Sequence, residues 1–241
     1  MGNVLVNDAY LYGIADAIRE KYGTEKKYLP SEMEDAVRGI ESGDTSEFGE
    51  SYWLENISKK TNLSRLFQDW TSERIPQIDI SHATNTSEMF AYSNLAYIHP
   101  LDLASCTTAA NMFNWSWKGT VESIEVNNTE NIKNWGFFCY QSSKIKSIKT
   151  LDLSSATNVT SIIASCQNLE TLLFVPNTIK ISINLGSNLQ LLSDESIQSI
   201  IDGLADLTGA TAQTLTLHAT VKAKLTEAQI SQITSKNWTL A

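Results

Sequence analysis

A short motif, an acidic residue between two apolar ones, recurs along the middle of this 241-residue chain. Successive copies begin at residues 78, 101, 124 and 151, which are 23, 23 and 27 residues apart. The copies are Ile78-Asp79-Ile80, Leu101-Asp102-Leu103, Ile124-Glu125-Val126 and Leu151-Asp152-Leu153. A unit of this length cannot bury its apolar face alone, whereas stacked copies form a continuous core. The spacing therefore predicts a repeat architecture.

Further columns of residues keep the same spacings. Two columns are apolar or mostly apolar: Met89, Met112, Trp135 and Ile162, followed by Phe90, Phe113, Gly136 and Ile163. A third column contains small residues: Ser93, Ser116, Cys139 and Cys166. Leu66 and Phe67 lie 23 residues before the first apolar pair and indicate a weaker first repeat. In each unit the alternating motif predicts a short strand, and the later apolar pair predicts a helical or 3₁₀ segment. We expect an α/β chain whose short parallel strands and helical segments stack into a curved solenoid.

The two ends of the chain carry helical patterns instead of the repeat. Residues 8–22 have apolar residues at helical spacing, and Ser31 with Glu34 has the spacing of a capping box for a second helix. We predict a helical hairpin over residues 1–40, used for attachment or oligomerisation because so short a piece is marginally stable alone. Polar residues 41–50 predict a linker, residues 51–191 the repeats, and residues 192–241 a C-terminal α/β cap that covers the last repeat.

Within this cap, three local patterns predict the elements. Ser193 is the expected N-cap of a helix that ends near Gly209. Residues 215–217 predict the last strand, and Thr226 with Gln229 predicts the capping box of a final helix.

Charge and sequence motifs argue against several classes of function. The net charge of -9, without a run of Lys or Arg, makes nucleic acid and anionic membranes unexpected partners, and no run of about 18 apolar residues predicts membrane insertion. No HExxH, paired-cysteine, GxSxG or glycine-rich phosphate motif is present, so we expect no catalysis, no metal and no cofactor. The three histidines, His82, His99 and His218, lack metal-ligand spacing, and His82 and His218 are interpreted as solvated or locally hydrogen-bonded. The three cysteines, Cys106, Cys139 and Cys166, are interpreted as small buried residues.

The acidic column of the motif, Asp79, Asp102, Glu125 and Asp152, is a first candidate site. Alternation with buried residues places these carboxylates on the open face of neighbouring strands, about 5 Å apart. A Ca²⁺ ion could relieve their mutual repulsion. The alternative is a solvated face where each carboxylate bonds to local backbone or Ser hydroxyls.

Two aromatic columns are a second candidate site. Tyr92, Trp115 and Phe138 share the 23-residue spacing, as do Trp117 and Tyr140. Exposed neighbouring rings suit stacking on sugars, capture of a protein partner or contact between protomers. The alternative is that the rings pack against each other as an extension of the core.

Residues 151–160 (LDLSSATNVT) and 87–90 (SEMF) closely resemble the repeats of BspA-like leucine-rich-repeat proteins, and the resemblance covers roughly residues 60–190. The segments at residues 4–8 and 28–33 are similar to the start of many tail-associated proteins of phages and prophages of Gram-positive bacteria. Residues 214–217 and 236–241 are similar to the terminal cap of those proteins. The chain departs from the usual repeat where aromatic residues replace a common glycine and where the last interval lengthens. Any individual binding specificity is expected at those departures.

The resemblance implies a leucine-rich-repeat solenoid in a phage tail-tip or fibre protein that contacts the host surface. The implied partners are a host cell-surface glycan or protein, other tail proteins through residues 1–40, and further copies of the chain. The N-terminus lacks the pattern of a secretory signal, which favours a virion component assembled in the host cytoplasm. The alternatives are a structural tail or baseplate component without receptor binding, and a bacterial cell-surface adhesin.

Overall fold

The computed structural model describes residues 57–75, 77–115 and 119–241, all within one compact unit, Ser51–Ala241. In this part the chain is an α/β protein with two all-parallel sheets of short strands. The predicted hairpin (1–40), the linker (41–50) and Trp117 lie outside the described residues.

The first sheet has four strands that pair in chain order. They are β1 (Leu101–Asp102), β2 (Ser123–Asn127), β3 (Ser147–Leu151) and β4 (Thr171–Phe174). Alternation sets their faces: in β2, Ile124 and Val126 are buried and Glu125 is exposed. The predicted strands are therefore confirmed at the second and third copies of the motif, whereas residues 78–80 form no strand and only Leu151 of the fourth copy lies in β3.

The segments after the strands differ from the predicted helical or 3₁₀ form. Residues 64–69, 87–92, 110–115, 136–141 and 160–165 are series of consecutive turns. Alternate N–H groups donate to carbonyls of the following unit, as from Arg65 to Ser87 (3.0 Å) and from Phe67 to Met89 (2.9 Å). The N–H groups between them bond three residues back, as from Gln68 to Arg65 (3.1 Å). A helix uses its donors internally, whereas here half of the donors join neighbouring units.

A column of asparagines begins these turn segments. Parallel bridges join Asn62, Asn85, Thr108, Asn134 and Asn158. The Oδ1 atom of each asparagine accepts from the N–H two residues later, at 2.9–3.1 Å. Such local bonds favour turns over helix, which gives a physical reason for the difference.

The bridges also correct the predicted register. Asn134 pairs with Thr108 and Asn158, 26 and 24 residues away, so the extra length falls one unit earlier than expected. The predicted columns are therefore shifted by three residues in this unit. Phe138 replaces Trp135 in its column, Cys139 replaces Gly136, and Ser142 replaces Cys139. In the sheet, Leu101 pairs with Val126. Glu125 is therefore two residues out of the acidic column, and Asn127 stands beside Asp102.

The core follows the stack of units. The rings of Phe67 and Phe90 lie parallel with centroids 5.7 Å apart, and those of Phe90 and Phe113 are stacked at 5.2 Å. Phe138 packs edge-on against Phe113 at 5.3 Å. All four side chains are buried, so a ladder of aromatic rings runs through the apolar interior.

The second sheet has the order β5-β6-β7 and lies among three helices of the described chain. The elements are β5 (Ile183–Leu185), α1 (Asp194–Gly203), β6 (Gln213–Leu217), α2 (Ala219–Lys222), α3 (Glu227–Ser235) and β7 (Trp238–Leu240). The Ser193 N-cap and the capping box of Thr226 and Gln229 are confirmed.

Two predicted boundaries in this region are wrong. The helix α1 ends at Gly203, before the predicted Gly209, because Leu204 leaves the helix to form a parallel bridge with Ile179. Close packing there needs glycine: a Cβ on Gly203 would lie 3.0 Å from the Cβ of Phe174. Residues 215–217 belong to β6, which is followed by one more strand, β7.

Truncation of the aromatic ladder is expected to destabilise the fold. Phe113→Ala removes a side chain that contacts rings in both neighbouring units. It should lower the free energy of unfolding by about 3–5 kcal/mol in urea denaturation, because it leaves a cavity. Tyr97→Ala, at a side chain 52% exposed, is the control and should change the free energy little. A small effect of Phe113→Ala would contradict the packing described.

Candidate binding surface

Two rows of outward positions run across the turn segments. In each segment, two residues four apart adopt left-handed backbone conformations. They are Arg65 and Asp69, Glu88 and Tyr92, Asn111 and Trp115, Phe137 and Gln141, and Ser161 and Ser165, with φ between 50° and 64°. All ten are exposed or half-buried. The left-handed conformation is costly for residues other than glycine, and hydrogen bonds from the N–H groups of all but Ser161 to the following unit offset that cost.

Tyr92 and Trp115 form an exposed stacked pair in the second row. Their ring centroids are 6.2 Å apart, their planes differ by 18°, and each residue is 36% exposed. The backbone beneath is held, since the N–H of Tyr92 donates to Asn114 (3.0 Å) and that of Trp115 to Tyr140 (2.9 Å). Two aligned rings on a fixed backbone can bind a flat or apolar partner with little loss of side-chain entropy.

The other aromatic predictions have mixed outcomes. Phe138 is wrong as a surface residue, because it is fully buried against Phe113. Its neighbour Phe137 is exposed instead (37%) and packs edge-on against Tyr140 at 5.4 Å. Tyr140 is half-buried, and its hydroxyl accepts a hydrogen bond from Gln141 Nε2 at 3.1 Å. Alignment on the asparagine column, Asn134 with Thr108, is the signal that could have identified Phe137.

Three carboxylates of the acidic column make local hydrogen bonds to the backbone of turns. Oδ1 of Asp79, Asp102 and Asp152 accepts from the N–H two residues later, at 2.9, 3.0 and 2.8 Å respectively. The hydrogen bonds from the Ser81 hydroxyl and backbone lower the pKa of Asp79. Glu125 lies opposite Lys149 in the register of β2 and β3. Within the described ranges, no three Asp, Glu, His or Cys side chains are grouped to hold a metal ion, and the geometry matches the local hydrogen-bonding interpretation.

Charged side chains occupy neighbouring positions of both rows: the exposed Asp69 precedes Tyr92 in the second row. Arg65 and Glu88, equivalent positions in the first row, pair through Nε–Oε2 and Nη2–Oε1 contacts of 3.0 Å each. An exposed ion pair contributes little to stability in salt.

The histidines have ordinary structural contacts. His82 Nε2 lies 2.9 Å from the carbonyl of Ile57, and His218 Nδ1 accepts from the N–H of Thr220 at 3.2 Å as the N-cap of α2. His99 packs edge-on against Tyr97 at 4.8 Å. No described helix is long and apolar enough to span a bilayer.

The three cysteines are buried and free, as the sequence predicts. The Cys166 thiol donates to the Cys139 carbonyl (2.6 Å), and the two Sγ atoms are 3.6 Å apart. The hydrogen bond with Cys166, and then burial, raises the pKa of the Cys139 thiol well above its ordinary value. Burial also raises the pKa of Cys106. Both groups are therefore protonated and unreactive in the folded protein.

These raised pKa values predict a loss of stability in alkali. The folded state holds the thiol protons more tightly, so the stabilisation is complete below the unfolded thiol pKa of about 8.5 and is lost as pH rises towards the folded value. Urea denaturation should show a free energy of unfolding that declines above this pH, with a shallower decline in Cys139→Ala. In the native protein at neutral pH, iodoacetamide should leave the thiols unmodified. An equal decline in the variant would contradict the assignment to Cys139.

Comparison with known proteins adds no identification to this geometry. No model of a protein family, no curated protein and no solved structure matches the chain. The surface of the protein itself is therefore the source of the functional evidence.

Proposed function

We propose that this protein is a non-catalytic binding module, a leucine-rich-repeat solenoid that presents the Tyr92–Trp115 pair to a partner. The solenoid is supported by four successive junctions in which turn segments are joined by the same alternate N–H bonds. It is also supported by the aromatic ladder that continues through those units. Repeats of this kind make a rigid extended surface, which suits recognition better than chemistry.

The observation that carries the proposal is the exposure of two stacked rings on backbone that neighbouring units hold in place. Exposed aromatic patches are uncommon on soluble proteins unless they bind something. Aromatic faces stack on the apolar faces of sugar rings. We propose a cell-surface glycan as the partner.

The biological setting proposed is a phage or prophage tail that contacts a Gram-positive host. This setting is supported only by the resemblance of the repeats and of the two chain ends to such proteins. In it, residues 1–40 join the module to other tail proteins or to further copies. The alternatives are a structural tail component and a bacterial surface adhesin.

The test is binding of the full chain to cells and purified cell-wall polysaccharide from a panel of Gram-positive hosts. We expect saturable binding that the double variant Tyr92→Ala, Trp115→Ala weakens by about tenfold or more, which corresponds to about 1.4 kcal/mol. Tyr97→Ala, another exposed aromatic residue, is the matched control and should bind like wild type.

Thermal unfolding of each variant separates lost binding from lost folding. Unchanged binding by the folded double variant would remove the aromatic pair as the site. Absence of binding over the whole panel would favour the structural tail component.

A further inference from the structure

The ladder of hydrogen bonds between units is incomplete at its last member. In each of the first four turn segments, four alternate N–H groups donate to the following unit. In the last segment, residues 159–165, only the N–H of Ser165 does so, to the Ser187 carbonyl at 3.0 Å. Within the described chain, the N–H groups of Val159, Ser161 and Ile163 have no hydrogen-bond partner.

An open groove lies beside these donors. It has a volume of ≈ 590 Å³ and is lined on one side by the last turn segment and on the other by residues 181–187. Val159 and Ser161 line the groove, as do Ser165 and Ser187, which are joined by the remaining hydrogen bond. Binding sites for small ligands have volumes of about 300–1,000 Å³, so the groove, which we call the terminal groove, has room for a short chain.

The lining of the terminal groove is uncharged. Its side chains include the hydroxyls of Thr160, Ser182 and Ser187, the amide of Asn184 and the ring of Tyr140. Anion sites are usually completed by Lys or Arg, and none lines this groove. An uncharged lining therefore favours a neutral acceptor for the unpaired donors over an anion.

A peptide backbone is the acceptor that the fold already uses at these positions. In the preceding junction, the N–H groups of Trp135 and Phe137 donate to the carbonyls of Asn158 and Thr160, both at 2.8 Å. Trp135 and Phe137 are the equivalents of Val159 and Ser161. Carbonyls on alternate residues of a docked chain would continue the same ladder, as strand addition does at a sheet edge.

We propose that the terminal groove binds an uncharged peptide segment of a partner protein, whose alternate carbonyls accept from the N–H groups of Val159 and Ser161. Small polar side chains of the segment face the hydroxyls and amide of the opposite wall. This site is separate from the Tyr92–Trp115 pair and does not depend on the glycan proposed for it.

The probe is a capped synthetic peptide with the sequence of residues 156–165, because that segment supplies the carbonyls of the preceding junction. Amide hydrogen exchange of the full chain, followed by NMR, reports each donor. In the free protein, the amides of Val159 and Ser161 should exchange faster than those of Trp135 and Phe137. The peptide should slow exchange at Val159 and Ser161, and a scrambled peptide should not.

Filling the groove is the second arm of the test. Thr160→Trp places a large side chain in the groove and should weaken peptide binding by about tenfold or more, measured by calorimetry. Ser64→Trp, at the same turn position in the first described unit, is the matched control and should bind normally.

Three results would overturn the proposal. The first is slow exchange at Val159 and Ser161 in the free protein, equal to that at Trp135 and Phe137. The second is no protection by the peptide at concentrations up to about 1 mM, the limit of weak specific binding. The third is protection of these amides by a neutral oligosaccharide and not by the peptide, which would assign the groove to a sugar. Each result concerns the groove alone and leaves the test of the aromatic pair unaffected.

Discussion

The hydrogen bonds that alternate N–H groups of each turn segment make to the next unit hold this structure together. They replace the internal bonds of a helix with bonds between units, so no segment is complete without its neighbour. The same bonds accompany the left-handed conformations at two positions of each of the first four segments. They also bring the phenylalanine rings into contact along the core and fix which side chains reach the surface. The hydrogen bonds between units therefore both stabilise the fold and fix which side chains are exposed.

The hydrogen bonds between units also explain the positions of the aromatic pair and of the terminal groove. Tyr92 and Trp115 are stacked because equivalent positions of adjoining units are held in register by the backbone beneath them. The terminal groove exists for the opposite reason, because the ladder has no further unit to satisfy Val159 and Ser161. The aromatic pair thus depends on two adjoining units, whereas the terminal groove lies where the series of hydrogen-bonded units ends.

Much of the fold could be predicted from the chain: the parallel strands, the buried cysteines, the Ser193 cap and the capping box at Thr226 all follow from local patterns. The turn segments could not, because a pair such as Met89 and Phe90 has the spacing of a helix as well as that of overlapping turns. For the site, the spacing correctly predicts the exposure of Tyr92 and Trp115, but it puts Phe138 in their column, where the structure has Gln141. That error came from a register counted on spacing alone.

The sequence by itself determined that the chain repeats, which residues are buried in most units, and how the helices at the C-terminal end begin. Those properties depend on side chains within a few residues of each other or at a regular interval. Only the tertiary structure decided the register at the longer unit, the exposure of Phe137 and the unpaired donors at the end of the ladder. Each depends on which backbone atoms of one unit face those of the next, and the two sequences at a junction do not state that pairing.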